Sequence, residues 1–553
     1  MTLGPLIVQS DHTVLLEVAH PQADDARHEI AVFAELERAP EHIHTYRVTR
    51  LGLWNARAAG HTTDEIIDTL NRYAKFPVPA GVSSEIAETM RRYGRLTIER
   101  HESSGSGDPA DQLILRSDDA ALMREVASAK KIAPLLGEKI DDLTRVIEPW
   151  ARGELKQQLV ARGWPAEDLA GYTPGEPHDI ALAEDGWQLR DYQRAAVTAF
   201  EKGGSGVVVL PCGAGKTLVG AATMAAVGAK TLILVTNTVS ARQWRDELLR
   251  RTTLTEDEIG EYSGQIKEVK PVTIATYQIL TSRRKGEYAH LSLLNAHDWG
   301  LIVYDEVHLL PAPVFKLTAE LQARRRIGLT ATLVREDGRE GDVFSLIGPK
   351  RYDAPWKEIE AQGFIAPAAC FEVRVDLSES ERFDYSVAED QDRYRIASSA
   401  AVKERIARRL IEKHPSERVL VIGQYIDQLE SMAESLNAPL ITGQTPVDER
   451  ERLFGEYRRG EIQLLVVSKV ANFSVDLPDA SVAIQISGSF GSRQEEAQRL
   501  GRLLRPKINS EALTASFYTL VTRDTVDQDF AQNRQRFLAE QGYAYTILDA
   551  EQV

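Results

Sequence analysis

The chain has 553 residues, 43 % of them hydrophobic and 27 % charged, and 82 Asp and Glu outweigh 66 Lys and Arg to give a formal net charge of −16. That balance excludes a protein that coats nucleic acid through bulk charge, although a locally basic groove can still meet phosphates. Two cysteines, Cys212 and Cys370, are too few for a disulfide framework or a four-cysteine metal site, which fits a reducing cytoplasm, and no charged leader or long apolar run points to export or a membrane.

A chain of this length divides into about three or four domains. Pro5–Val8 and Thr13–Val18 read as a β-hairpin, and Ala23 to Leu36 carries helical spacing. Thr62 and Glu65 form a capping box that opens one helix, and a second runs from about Ser83 to Tyr93. Leu96–Ile98 and Leu113–Leu115 could be two strands joined by the Gly/Ser-rich tip Ser103–Gly107. Helix, helix and a two-stranded wing is the order of a winged-helix unit, in which Arg91, Arg92 and Arg95 would face DNA. A protein-binding module with solvated arginines reads the same residues equally well. The α+β region is expected to end near residue 118, followed by a mainly helical segment over 119–177 that closes on the linker-like Thr173-Pro-Gly-Glu-Pro177.

Residues 178–350 read as a first α/β domain. Arg190 and Gln193 lie on a helix before an apolar strand, and the Gln193 amide has the donor and acceptor to pair with an adenine edge. The strand breaks into Leu210-Pro211-Cys212-Gly213-Ala214-Gly215-Lys216-Thr217. Its glycines let successive N–H groups turn toward a phosphate chain at a helix N-terminus. Lys216 would reach the outer phosphates of ATP, and the Thr217 hydroxyl would hold Mg²⁺. Thr231–Val235 is a buried strand by composition, and Thr236, Asn237 and Arg242 follow its end, where they could track a sugar–phosphate backbone. Thr276 repeats that placement. Leu301–Tyr304 delivers Asp305 and Glu306 to the phosphate site, Asp305 for Mg²⁺ and Glu306 to orient and deprotonate water. His308 would couple this site to the neighbouring lobe, as would Thr330 and Thr332 at the end of Ile327–Thr332.

Residues 351–553 restart the strand-then-helix rhythm as a second α/β domain. Ser468, Lys469 and Asp476 fall past a strand end, within reach of DNA phosphate or ATP ribose. Gln498-Arg499-Leu-Gly-Arg502-Leu-Leu-Arg505 places arginines near one helix face. Arg502 and Arg505 would neutralise charge on the transferring phosphoryl group, while Gln498 and Arg499 would link the lobes.

Taken together, residues from about 185 to 548 resemble a superfamily 2 helicase of the XPB family, the DNA translocase subunit of TFIIH and its bacterial and archaeal relatives. The marks are the phosphate loop 210–217, Asp305-Glu-Val-His308, Arg335-Glu336-Asp337, and the tail from Phe517 through Arg534–Leu538 to Tyr543. The resemblance implies two tandem RecA-like parallel-sheet domains, ATP and Mg²⁺ as cofactors, and 3′ to 5′ movement on DNA in nucleotide excision repair. It makes Arg335, Glu336 and Asp337 strand-opening residues, and it implies a short helical thumb, best placed at 378–399, whose acidity is unlike a DNA grip. A nuclease or other repair factor is an implied partner of a monomeric motor. Ala471-Asn472 departs from the Gly-Asp of the eukaryotic pattern. The rival readings are a duplex translocase that remodels DNA–protein complexes and an ATP-switched DNA-binding regulator.

Overall fold

The computed structural model describes the chain apart from residues 1–3, 40–41, 102–111, 149, 184, 212–213, 285–286, 308–309, 312–313, 315–320, 323, 332–339, 355–367, 469–479, 489–514, 532–534 and 536–544. Its first unit holds β1 (Leu6–Val8), β2 (Thr13–Glu17), α1 (Ala23–Ile30), β3 (Ala34–Arg38), β4 (Ile43–Val48), α2 (Arg50–Ala58), α3 (Thr63–Tyr73) and α4 (Ala80–Arg92). The strands pair antiparallel in the order β1-β2-β4-β3 over a core that includes Leu16, Ile30, Phe33 and Leu70. The helix expected from Ala23 to Leu36 stops at Ile30, because Ala34, Leu36 and Arg38 pair with β4 as a strand. The Thr62–Glu65 capping box is formed.

β5 (Leu96–His101) and β6 (Gln112–Ser117) pair antiparallel, but they do not stand as a wing. They are inner strands of a five-stranded sheet, β7-β8-β6-β5-β9, with β7 (Leu136–Lys139), β8 (Thr144–Ile147) and β9 (Ala166–Asp168). α5 (Ala120–Ala127) and α6 (Arg152–Ala161) lie within the same unit. The boundary expected at residue 118 therefore cuts through one sheet, and the segment expected to be mainly helical supplies three of its strands. Two of the three arginines assigned to DNA are committed within the protein. Arg92 pairs with Glu88 at 2.5 Å and lies over Trp164 at 4.8 Å, and Arg95 pairs with Asp118 at 3.0 Å and Asp119 at 3.2 Å. Arg91 remains exposed.

The stretch 173–177 is a strap rather than a free linker. Glu176 N donates to Asp298 O at 2.7 Å, its main-chain oxygen accepts from Lys230 N at 2.8 Å, and Thr173 Oγ1 accepts from Arg324 at 3.2 Å. Gly175 sits at φ +76°, and a Cβ there would lie 2.3 Å from the backbone of Gly300. Composition marked the turn residues; the close approach is a tertiary fact.

The first α/β lobe contains α7 (Asp191–Gly203), β10 (Ser205–Val209), α8 (Lys216–Val227), β11 (Thr231–Val235), α9 (Thr238–Arg251), β12 (Ile259–Tyr262), β13 (Val272–Thr276) and α10 (Tyr277–Thr281). A short hairpin of β14 (Arg283–Arg284) and β15 (Glu287–Tyr288) precedes β16 (Leu301–Asp305), β17 (Arg325–Thr330), α11 (Glu340–Leu346) and β18 (Lys350–Asp353). The seven-stranded sheet is parallel, in the order β12-β13-β11-β16-β17-β10-β18. Every residue of β10, β11 and β13 is buried, the pattern of strands covered by helices on both faces. β18 pairs with β10, so this lobe runs through Asp353 rather than ending at residue 350.

The second lobe contains β19 (Ala368–Val375), α12 (Glu379–Val387), α13 (Asp390–Ser398), α14 (Val402–Lys413), β20 (Val419–Gly423), α15 (Ile426–Leu436), β21 (Leu440–Ile441) and α16 (Val447–Arg459). It continues with β22 (Leu464–Ser468), β23 (Val482–Gln485), β24 (Ala515–Thr522) and β25 (Tyr545–Asp549) in a second seven-stranded parallel sheet, β21-β22-β20-β23-β24-β19-β25. The segment expected to be thumb-like is a helical pair, α12 and α13, and α12 buries none of its residues.

Candidate active site

The site forms where β10 and β16, separated by β17, point their C-terminal ends at the start of α8. Ligands bind at such strand ends because helix N-termini and free main-chain N–H groups converge there. Gly215 is the N-cap of α8 at φ +79°, a left-handed conformation that glycine adopts without steric cost. A Cβ at Gly215 would sit 2.6 Å from Gln193 Nε2, so the loop and α7 are in close contact.

Gln193 is 2 % exposed and both ends of its amide are engaged. Nε2 donates to Ala214 O at 2.9 Å, and Oε1 accepts from Arg190 N at 2.9 Å. Tyr192 OH donates to the same Ala214 oxygen at 2.8 Å and accepts from Arg190 Nη1 at 3.1 Å. Here Gln193 braces the phosphate loop instead of offering its amide to a base. Pro211 and Ala214 are buried in that loop.

Lys216 Nζ lies 2.7 Å from Glu306 Oε1, with side chains 11 % and 17 % exposed. Glu306 turns away from the end of β16 at φ +48°, an uncommon conformation outside glycine that swings its carboxylate toward α8. Asp305 is held by its neighbours. Oδ2 accepts from Trp244 Nε1 at 3.0 Å, Oδ1 accepts from Glu306 N at 3.1 Å, and its main-chain oxygen accepts from Tyr277 OH at 2.7 Å. Burial, and then the nearby Glu306 charge, push the Asp305 carboxyl up to about 6, against the opposing pull of Lys216. Among the described residues, Lys216 is the cation in contact with this half-buried pair of carboxylates. The donor set fits a magnesium–nucleotide group: a glycine-capped helix start and Lys216 for phosphate oxygens, and the Thr217 hydroxyl and Asp305 for a hard cation.

From the sequence Trp244 has no assigned role, and Tyr277 is read only with Thr276 as a pair at a strand end. Trp244 lies two residues after Arg242 and Tyr277 directly follows Thr276, but an aromatic residue after a strand gives no sign that its polar atom will reach the end of β16.

At the face expected to meet DNA, Asn237 caps α9 by accepting from Ser240 N at 2.9 Å, and its Nδ2 donates to Thr236 Oγ1 at 3.2 Å. Asn237 and Arg242 are exposed. Thr276 is 4 % exposed, so its hydroxyl is not presented to a backbone, which corrects the expectation for it; Gln278 is the exposed residue on that turn. Ser468, at the end of β22, is 2 % exposed, and its hydroxyl has no partner among the described residues. Thr330 is buried, and its main-chain oxygen accepts from Leu210 N at 2.9 Å, joining β17 to the phosphate loop. Cys212, Gly213, His308, Thr332, Arg335, Glu336, Asp337, Lys469, Asp476, Gln498, Arg499, Arg502 and Arg505 lie outside the described residues.

Residues 359–553 match the ERCC3/RAD25/XPB C-terminal helicase family, residues 186–335 match the family described as type III restriction enzyme, res subunit, and residues 6–141 match a helicase conserved C-terminal domain. A protein of Kineococcus radiotolerans named DNA 3′-5′ helicase XPB is 65 % identical over 100 % of this chain and 98 % of its own length. The chain belongs to the XPB family. A Mycobacterium tuberculosis member of the same name is 62 % identical over 100 % of this chain and 99 % of its own length. More distantly, the Saccharomyces cerevisiae general transcription and DNA repair factor IIH helicase/translocase subunit XPB/SSL2 is 30 % identical over 98 % of this chain and 72 % of its own length. The bacterial XPB relatives match over the N-terminal units as well as the two motor lobes.

Proposed function

We propose that this chain is an ATP-dependent DNA helicase that moves 3′ to 5′ and acts in repair of the nucleotide-excision type. The observation that carries the reading is the half-buried Asp305–Glu306 pair set against Lys216 at the start of α8. ATP with Mg²⁺ supplies the phosphoryl group to be transferred. Lys216 would exchange its contact with Glu306 for the outer phosphates, freeing Glu306 to accept a proton from the attacking water. Thr217 and Asp305 would hold the cation; the bonds from Trp244 and Glu306 N fix where the Asp305 carboxylate points, and Tyr277 holds its main-chain oxygen. Arg502 and Arg505 complete the site from the second lobe in this proposal, and Asp476 would meet the ribose. Closing and reopening the cleft would step the lobes along DNA, with Thr236, Asn237, Arg242 and Lys469 on the backbone and Arg335, Glu336 and Asp337 at the strand junction; Ser468, as covered as Thr276, is left out. His308, Thr332, Gln498 and Arg499 would relay between the lobes. A monomer working in the cytoplasm with a nuclease or another repair factor completes the proposal.

ATP hydrolysis with and without single-stranded, forked and duplex DNA tests it, beside a labelled-strand release assay. We expect strong stimulation by DNA, a loss of roughly 10²–10⁴ in turnover for Glu306→Gln, and selective loss of unwinding for Arg335→Ala. Nucleotide binding without DNA-stimulated turnover would sink the motor reading. Stimulated turnover without strand release would leave a translocase.

A further inference from the structure

We propose that Trp244 is a positioning residue through which DNA contact at the start of α9 sets the orientation of the Asp305 carboxylate; the proposal rests on the motor reading above. α9 carries two features on one rigid element. At its N-terminal end Thr236, the N-cap Asn237 and Ser240 form a connected polar cluster, with Asn237 exposed and Arg242 exposed on the helix beyond it. Less than two turns after Asn237, Trp244 is 2 % exposed and its indole N–H reaches Asp305 Oδ2 at 3.0 Å.

The geometry around the indole is tight on its opposite edge too. A Cβ on Gly220 of α8 would lie 2.4 Å from Trp244 Cη2, so the ring is wedged between the helix that follows the phosphate loop and the acidic end of β16. Packed side chains of this kind shift as units rather than deform. Asp305 itself is anchored unequally. Its main-chain oxygen accepts from Tyr277 OH of α10 at 2.7 Å and its Oδ1 from the adjacent Glu306 N, at the strand end itself, at 3.1 Å, whereas Oδ2 answers to a donor on α9. A displacement of α9 by a few tenths of an ångström stretches a 3.0 Å bond toward its limit and lets the carboxylate turn while β16 stays in place. The strand end is thus the fixed reference and the indole the moving contact.

A buried indole needs a partner for its N–H, and a merely structural Trp244 would satisfy that need without linking the two sites. Coupling separates the cases. If DNA and nucleotide communicate, each changes the other's affinity by one common factor. That factor is read from the Kd of a forked oligonucleotide with and without the magnesium complex of a non-hydrolysable ATP analogue, and from the analogue's Kd with and without the oligonucleotide. Being a ratio, it cancels any uniform loss of binding. We expect roughly tenfold coupling in the native chain and less than twofold in Trp244→Phe, which keeps a ring and loses the N–H. Gly220→Ala keeps the N–H and displaces the ring, and should fall in the same direction. Native coupling retained in both variants would overturn the relay. Absence of coupling in the native chain would also overturn the relay, and only absence of DNA-stimulated turnover beside it would overturn the motor reading.

Discussion

At the scale of single residues, the site is organised by competition for Lys216. Its ammonium faces Glu306 at 2.7 Å, yet the proposed chemistry needs the lysine on phosphate and the glutamate on water. Removing the competitor has opposite effects on binding and turnover. Glu306→Gln should bind the magnesium–ATP complex about two- to fivefold more tightly in equilibrium titration, the scale of a modest ion pair, while hydrolysis collapses. Weaker binding in that variant would show that Glu306 supports the phosphate site instead of competing with it. A second residue-scale consequence lies far from the motor. His44 in β4 is 3 % exposed, and burial, with Arg27 nearby, holds its pKa down at about 4. The folded chain therefore stays unprotonated at His44 to about pH 4, while the unfolded chain takes up its proton below about pH 6.5. Stability is full above that upper limit and is lost as pH falls through the window. At pH 5 the loss is about 2 kcal/mol relative to pH 7, measurable as a lower urea midpoint that His44→Gln should make less pH-dependent.

At the scale of elements, α6 shows how a helix with little surface patterning earns its place. Arg152 and Lys156, one turn apart, both reach Asp168 at the end of β9, at 2.7 and 2.9 Å, with all three side chains nearly buried. The same helix packs on α11 through Gln157 Nε2, which donates to Asp342 at 2.8 Å. α11 begins three residues after Asp337 in sequence, so the second unit is seated against the helix that follows Arg335-Glu336-Asp337. Asp168→Asn leaves two buried cations facing a neutral amide. Breaking a buried pair in this way costs about 3–5 kcal/mol, and differential scanning calorimetry should show the corresponding fall in stability. An unchanged transition would mean that water already reaches the cluster. α12 presents the reverse case: its capping box Ser378–Glu381 sets its start, yet Phe383 and Val387 are each 67 % exposed. The acidity read from its sequence belongs to a helix that buries none of its residues.

At the scale of the whole molecule, the two N-terminal units are built into the motor. Lys350 N donates to Asn55 Oδ1 at 2.9 Å and Arg351 Nη1 to Ala58 O at 3.2 Å, tying α2 to β18, while Tyr545 OH of β25 reaches the Ala39 oxygen. Much of the motor was legible in the chain because its signals are local. Apolar runs covered on both faces name parallel strands, glycine beside lysine at a strand-to-helix turn names a phosphate site, and two carboxylates at a strand end name its acidic partner. The N-terminal third was read less well for the same reason. A strand at 34–38, a sheet shared across residue 118 and a strap at 173–177 depend on which distant segment each one meets. Sequence alone determined the fold class, the order of the two lobes and the identities of Lys216, Asp305 and Glu306, since period, composition and spacing survive without coordinates. Only the tertiary structure decided that Gln193 braces the loop, that Thr276 is covered and that Trp244 and Tyr277 hold Asp305, because a hydrogen bond between residues far apart in the chain leaves no trace in the pattern of either segment.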